Sequence, residues 1–217
     1  MKRIFAARPF CMAVFTCILG AMIIIGGSAV QAQTIIDEWD TVKAPEAPVL
    51  KPVTLNAKTM ALLLLDFNRQ VCNSDRRPRC IASIPKMAHL LALAREKGVS
   101  VVYSITSGAK PDDIARELAP LPGEPVVQSG PDKFLGTPLD KILKNKGVRI
   151  LLVTGTTAQG AVLYTASAAA FRGYRVIVPV DGMSAENLYA EKVTAWLLVN
   201  APRLSAAGTL TKIDLIR

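Results

Sequence analysis

The stretch 148–182, VRILLVTGTTAQGAVLYTASAAAFRGYRVIVPVDG, limits what this chain can fold into more than any other. Arg149–Val153 is a short apolar run with β-branched residues, the pattern of a strand covered on both faces. Gly155, Thr156 and Thr157 make a turn, and Ala158 to Arg172 follow as a helix. Its small residues, Ala161, Ala166, Ala168, Ala169 and Ala170, let it lie close on a sheet. Gly173 ends it, because glycine accepts the left-handed backbone common at helix C-termini. Tyr174–Val178 is the next strand. Strand, helix and strand at this spacing predict a right-handed βαβ unit in a parallel sheet. Chemistry in such sheets sits beyond the carboxyl ends of the strands, which here carry Thr154–Gly160 and Asp181.

The rest of the chain repeats the alternation. Gln33–Ala57, with Pro45, Pro48 and Pro52, reads as an extended arm over the domain or a neighbouring subunit. Thr59–Leu65 is a buried strand with Asp66 at its end, and Phe67–Ile81 is a polar, basic loop. Ser83 as N-cap and Pro85 in the first turn open a helix that runs to Gly98, with Met87, Leu90, Leu91 and Ala94 at helical spacing. Val99–Ile105 is a second strand, Asp112–Leu118 one or two helical turns, and Val126 and Val127 a short edge strand. Thr137 caps a helix with Pro138 at its first position, running to Asn145 and stopped by Gly147. Ala185–Val199 is an amphipathic helix with Leu188, Val193, Trp196 and Leu197 inward, and Leu204–Ile216 supplies the last strand. This order predicts a three-layer α/β/α sandwich with a mainly parallel sheet, Rossmann-like, over residues 58–217.

The 217 residues suit one domain with extensions, and 51% apolar residues can fill its core. Residues 1–32 stand apart. Lys2, Arg3 and Arg8 precede the apolar run Phe10–Gly27, and Val30-Gln31-Ala32 offers the small residues of a signal-peptidase site. Export to the periplasm or beyond, with cleavage after Ala32, is expected. Retention as a membrane anchor is the alternative, since the run approaches spanning length. Cleavage removes three of the 26 cations and takes the net charge from +9 to +6. The remaining charges are scattered, apart from Arg76, Arg77 and Arg79, and no aromatic residues interleave with a basic stripe. That argues against a nucleic-acid partner. The single histidine, His89, excludes sites built from several histidines and is the only candidate base for a Ser-His or Cys-His triad. Cys72 and Cys80 remain after cleavage. In an oxidising compartment they pair; a free, nucleophilic Cys72 is the alternative. No further Cys or His lies near them, so neither a metal nor a cofactor is expected.

The central stretch resembles the isochorismatase-like hydrolases, the superfamily that includes nicotinamidases and other cysteine hydrolases. Gly155, Thr165-Ala166, Gly173-Tyr174 and Asp181 occupy places that match its pattern. The strand ending in Asp66 and the segment Phe134-Leu-Gly-Thr-Pro-Leu139 extend the likeness from about Ala57 to Asp214. The resemblance implies a site of Asp, Lys and Cys. The Asp takes the thiol proton, the Lys supports the thiolate, and backbone N–H groups hold the oxyanion. Asp66 matches the Asp; otherwise it is a cap after the strand. The Lys position falls on Gln128, and Lys133 is either its substitute or a plain surface lysine. At the Cys position, before Val162, stands Ala161, which has no atom able to attack a carbonyl. Thr157, Gly160 and Ala161 at a helix N-terminus still offer a cradle for an oxyanion or ligand. Arg76, Arg77 and Arg79, after Asp66, are either a substrate rim suited to carboxylate or phosphate groups, or a solvated loop.

Three functions fit these residues, the third of them ordinary cysteine hydrolysis through a free Cys72. In the first, an exported hydrolase forms no covalent intermediate and uses Asp66 as general acid or base on a small anionic or amide-type metabolite. Vinyl-ether cleavage fits, because protonation needs an acid and water but no thiol. In the second, catalysis is lost and the scaffold binds a small molecule or serves a structural role. The resemblance also implies a homo-oligomer.

Overall fold

The computed structural model describes residues 34–217, so the expected leader, 1–32, lies outside the described residues. Residues 34–44 belong to a separate unit. They hold one helical turn, α1 (Ile35–Glu38), where the Thr34 N–H donates to Asp37 Oδ2 at 2.8 Å.

Residues 45–217 form the second unit. Its strands are β1 (Met60–Leu65), β2 (Ser100–Ile105), β3 (Val126–Gln128), β4 (Ile150–Thr156), β5 (Arg175–Pro179), β6 (Met183–Ser184) and β7 (Gly208–Thr211). Its helices are α2 (Pro78–Glu96), α3 (Leu139–Asn145), α4 (Leu163–Phe171), α5 (Leu188–Asn200) and α6 (Leu204–Ala207). The strands form one parallel sheet in the order β3-β2-β1-β4-β5-β7, with β6 beside the end of β4. The predicted α/β sandwich is the observed one.

MALLLL of β1 is apolar throughout because both of its faces are covered. Leu62 and Leu64 pack with Met87, Leu90 and Leu91 of α2; Ala61, Leu63 and Leu65 pack on the other side with Ala166 and Ala169 of α4 and Leu198 of α5. Each buried leucine contributes about 2 kcal/mol of apolar transfer. The chain runs from β1 out to β2 and β3, then returns to β4 on the other side of β1. The strand order therefore reverses between β1 and β4, and a crevice opens past their carboxyl ends.

Gly155 keeps those two ends close. Its φ is +136°, and a Cβ there would stand 2.2 Å from the Leu65 carbonyl oxygen. Gly155→Ala is therefore expected to cost about 2 kcal/mol from overpacking and backbone strain, read as a lower urea midpoint at unchanged slope.

Several boundaries differ from the expectations. Helix α2 starts at Pro78, and Ser83 lies inside it, donating Oγ to the Cys80 carbonyl at 2.7 Å. Two prolines fit a helix start, and the turn at Arg77, whose carbonyl accepts from the Cys80 N–H at 2.9 Å, selects the earlier one. Helix α5 starts at Leu188 and buries Glu191, Thr194, Ala195 and Leu198. Leu188 and Trp196, expected inward, are exposed. Apolar residues surround this helix, so their spacing selects no face; Glu191, drawn in by polar partners, sets its rotation. The expected strand 204–216 contains α6 before β7, and only Gly208–Thr211 pairs with β5. Part of the expected arm docks on its own domain: Lys51 N–H donates to Leu210 O at 2.9 Å and Val53 N–H to Leu215 O at 3.0 Å.

Candidate active site

The site is assembled where β1 and β4 end. Asp66 follows β1 with φ +58°, a left-handed conformation that aspartate tolerates better than most side chains. Its backbone N–H donates to the Ser104 carbonyl at 3.0 Å, and Ser104 Oγ donates to Asp66 Oδ1 at 2.8 Å. Lys133 Nζ donates to Oδ2 at 2.7 Å. Both side chains of this pair are buried, Lys133 to 1% exposure and Asp66 to 6%. Burial raises the Asp66 carboxyl above the ordinary aspartate value; Lys133, Ser104 and Arg77 pull it back, and burial prevails.

Asp66 lines a cavity of about 210 Å³, while Lys133 stands fully buried behind it. Thr156, Thr157, Gly160 and Ala161 line the same cavity. The Thr156–Thr157 peptide is cis, and a π-helical turn, Ala158–Val162, leads into α4 where an α-helix from Ala158 was expected. The floor of the lysine loop is tied to α4, because the Lys133 N–H donates to Thr165 Oγ1 and that hydroxyl donates to the Pro131 carbonyl, both at 3.3 Å. The Thr165-Ala166 pair thus has a local purpose: Thr165 seats the lysine loop and Ala166 leaves room against the sheet.

The structure gives the other singled-out residues different places. Gln128 is exposed, and its Nε2 donates to the Thr106 and Ala109 carbonyls at 3.2 and 3.0 Å. It holds the strand edge and leaves the carboxylate to Lys133. Of the three arginines expected at the rim, only Arg77 lines the cavity. Arg76 is exposed. Arg79 sits in the first turn of α2 and donates Nε to Glu191 Oε1 at 2.6 Å, so its charge is spent on holding α2 to α5. Arg77 is buried, which lowers its pKa, while Glu186 opposes the shift. Cys72 and Cys80 form a disulfide across this segment, which removes Cys72 as a candidate nucleophile. His89 is exposed on α2, outside the cavity lining. Asp181, which the sequence placed at the functional edge, accepts from Lys86 Nζ and from the Ile213 N–H, each at 2.9 Å, and braces the C-terminal segment. Among the described residues no group of three or more His, Cys, Asp or Glu side chains is arranged to hold a metal.

Ser104 escaped the sequence reading. The signal was a serine near the carboxyl end of the largely apolar run SVVYSI, in register with Leu65 and so beside the end of β1.

Comparison with known proteins shows the family and the fold. The isochorismatase domain family matches residues 60–207. Streptothricin hydrolase of Streptomyces noursei is 32% identical over 156 residues, 64% of this chain and 57% of that protein. The secreted isochorismatase effector Isc1 of Verticillium dahliae is 29% identical over 144 residues, 61% of this chain and 76% of the relative. N-carbamoylsarcosine amidase of Arthrobacter is 30% identical over 141 residues, 49% of this chain and 53% of the relative. The chain thus spans little more than half the length of the first and third. Among solved structures, an isochorismatase-like hydrolase from Alkaliphilus metalliredigens superposes with TM-score 0.65 at 21% identity, covering 73% of this chain and 96% of that one. N-carbamoylsarcosine amidase from Thermoplasma acidophilum gives TM-score 0.62 at 23% identity, covering 72% and 97%. These likenesses concern the fold.

Proposed function

This chain belongs to the isochorismatase family, and from that premise we propose that it is an exported hydrolase of a small anionic or amide-type metabolite, with Asp66 as general acid and base and no thiol nucleophile. The observation that carries the reading is a buried, cation-supported carboxyl lining a cavity that Ala161 lines as well. The names of the relatives, a streptothricin hydrolase and a carbamoylsarcosine amidase, support hydrolysis of a small metabolite.

Among the described residues no free thiol is available for a covalent route. Ala161 cannot attack, the sulfurs of Cys72 and Cys80 are joined to each other, and His89 lies elsewhere. Water must attack directly, on a substrate first activated by a proton. Burial keeps the proton on Asp66 to higher pH than an ordinary aspartate, as a general acid requires. With a vinyl ether, the Asp66 proton passes to the terminal vinyl carbon and leaves an oxocarbenium ion. Water adds to that cation, its proton returns to the Asp66 carboxylate, and the hemiketal collapses to a carbonyl compound and an alcohol. Lys133 stabilises the carboxylate during the half-cycle in which Asp66 is charged. The test is incubation with a panel of small vinyl ethers and amides, with products followed by mass spectrometry. Turnover that survives iodoacetamide treatment supports the reading, and turnover abolished by that treatment overturns it.

A second reading rests on the same pair: both Asp66 oxygens are engaged, by Ser104 and Lys133, as in a purely structural ion pair. A ligand that raises the melting temperature and is recovered unchanged supports binding alone.

Ala161→Cys gives a direct probe of the wall. A thiol there is expected to become the one iodoacetamide-reactive position among residues 34–217, since Cys72 and Cys80 are bridged. Peptide mapping that finds position 161 unlabelled in the folded protein removes Ala161 from the cavity lining.

Export is supported by the disulfide and by a relative whose name calls it secreted. The mature protein is then expected to begin at Gln33, and N-terminal sequencing that finds Met1 or Lys2 rejects the cleavage.

A further inference from the structure

Arg77 gives and takes no proton in the chemistry above, and its bonding is incomplete. Nη1 donates to the Val71 carbonyl at 2.8 Å, Nη2 reaches Glu186 Oε1 at 3.3 Å, and Nε is buried with no partner. Nε and Nη2 share one edge of the guanidinium plane. That edge grips a carboxylate through two parallel N–H···O bonds. Here it has one long bond to a glutamate whose side chain is 51% exposed. Arg77 itself is 8% exposed and lines the cavity together with Asp66.

The charges nearby point the same way. Lys133 is matched by Asp66 at 2.7 Å and Arg79 by Glu191. Arg77 is the cation at the cavity whose counter-charge, Glu186 at 3.3 Å, is half-exposed to solvent. Its position is fixed in advance, because it lies inside the loop closed by Cys72 and Cys80 and is anchored through Nη1. A donor fork set in place before binding loses little freedom when it captures an anion.

We propose that Arg77 is the specificity-determining residue of this site: its Nε–Nη2 edge takes a carboxylate of the substrate in place of Glu186, selecting carboxylates over neutral amides. A single planar fork suits a carboxylate; a phosphate dianion calls for a cluster of cations, and Arg76 and Arg79 do not reach the cavity. The assignment rests on the hydrolase reading only in calling the ligand a substrate.

Benzoate and benzamide, which differ only at this group, test it by calorimetry on the folded, oxidised protein, with no turnover required. Benzoate is expected to bind about tenfold or more tightly than benzamide. Glu186→Gln removes the competing carboxylate at an exposed position, so benzoate affinity should rise about threefold while benzamide stays unchanged. Arg77→Met should erase the preference, with its melting temperature reporting whether it folds, and Arg77→Lys should restore it only in part. If Arg77→Met fails to fold, wild type and Glu186→Gln decide. Equal affinities in wild type, weaker benzoate binding by Glu186→Gln, or inorganic phosphate bound as tightly as benzoate overturns the assignment. A clear benzoate preference in a protein that converts no substrate leaves Arg77 standing and removes the hydrolase reading. Turnover without that preference does the reverse.

Discussion

Replacing Asp66 by Asn is expected to lower turnover by about 10²–10⁴-fold, the range lost with a general acid or base. The backbone should not object, since Asn shares the tolerance of Asp for the left-handed conformation at φ +58°. Stability should fall as well. The amide strands the Lys133 ammonium at 1% exposure, and breaking one side of a buried pair costs about 3–5 kcal/mol. The two losses separate in the double variant Asp66→Asn with Lys133→Met. Denaturant unfolding should then recover most of the stability, while turnover stays lost. Turnover by Asp66→Asn equal to that of the parent would sink the acid–base assignment.

Lys133→Met is expected to behave differently, because the isolated Asp66 carboxyl can escape its burial by taking up a proton. Removing the ammonium removes the largest influence that lowers the Asp66 pKa, so that pKa moves further up. The acid form of Asp66 is present below its folded pKa and is lost as pH rises through it. The falling, high-pH limb of the rate profile should therefore shift to higher pH in the variant. Its low-pH plateau should drop by about 10–10²-fold, since the carboxylate left after proton donation loses a charge-assisted hydrogen bond of about 1.5–3 kcal/mol. A lower plateau with a limb at higher pH is a signature that general destabilisation does not produce. Stability follows the same sign. A carboxyl whose folded pKa is raised favours the fold fully below the ordinary aspartate value, and that contribution disappears as pH rises through the folded pKa. Urea midpoints of Lys133→Met should accordingly decline more steeply than those of wild type over that interval. A limb that stays in place would mean that Lys133 does not set the proton affinity of Asp66.

Much of this arrangement was visible along the chain. Continuous apolar runs such as MALLLL and ILLV belong to strands covered on both faces, so a layered parallel sheet followed directly. Gly155 between such a strand and an alanine-rich segment marked the turn, and Asp66 at the end of another marked the edge. The partner of Asp66 was harder. The resemblance placed the lysine at Gln128, because spacing along a loop does not tell which side chain folds inward. The turn Ser129–Asp132 sends Gln128 to the strand edge and aims Lys133 at the carboxylate, held by Thr165 from another element. The arginines show the same limit. Arg76, Arg77 and Arg79 are nearly equivalent as letters, yet one is solvated, one faces the cavity and one is tied to Glu191.

The sequence by itself determined the alternation of the main strands and helices, though not β6 or α6, the layered sheet they make, the absence of a thiol beside Val162, and the two cysteines near enough to bridge. These are properties of local pattern and chemical identity, which survive any rearrangement of the chain. Only the tertiary structure decided that Lys133 meets Asp66, that Ser104 supports it, that α5 turns Glu191 inward and that Arg77 alone faces the cavity. Each depends on groups far apart in the chain whose burial is tolerable only when a specific partner satisfies them, and that partnership exists only after the sheet has closed.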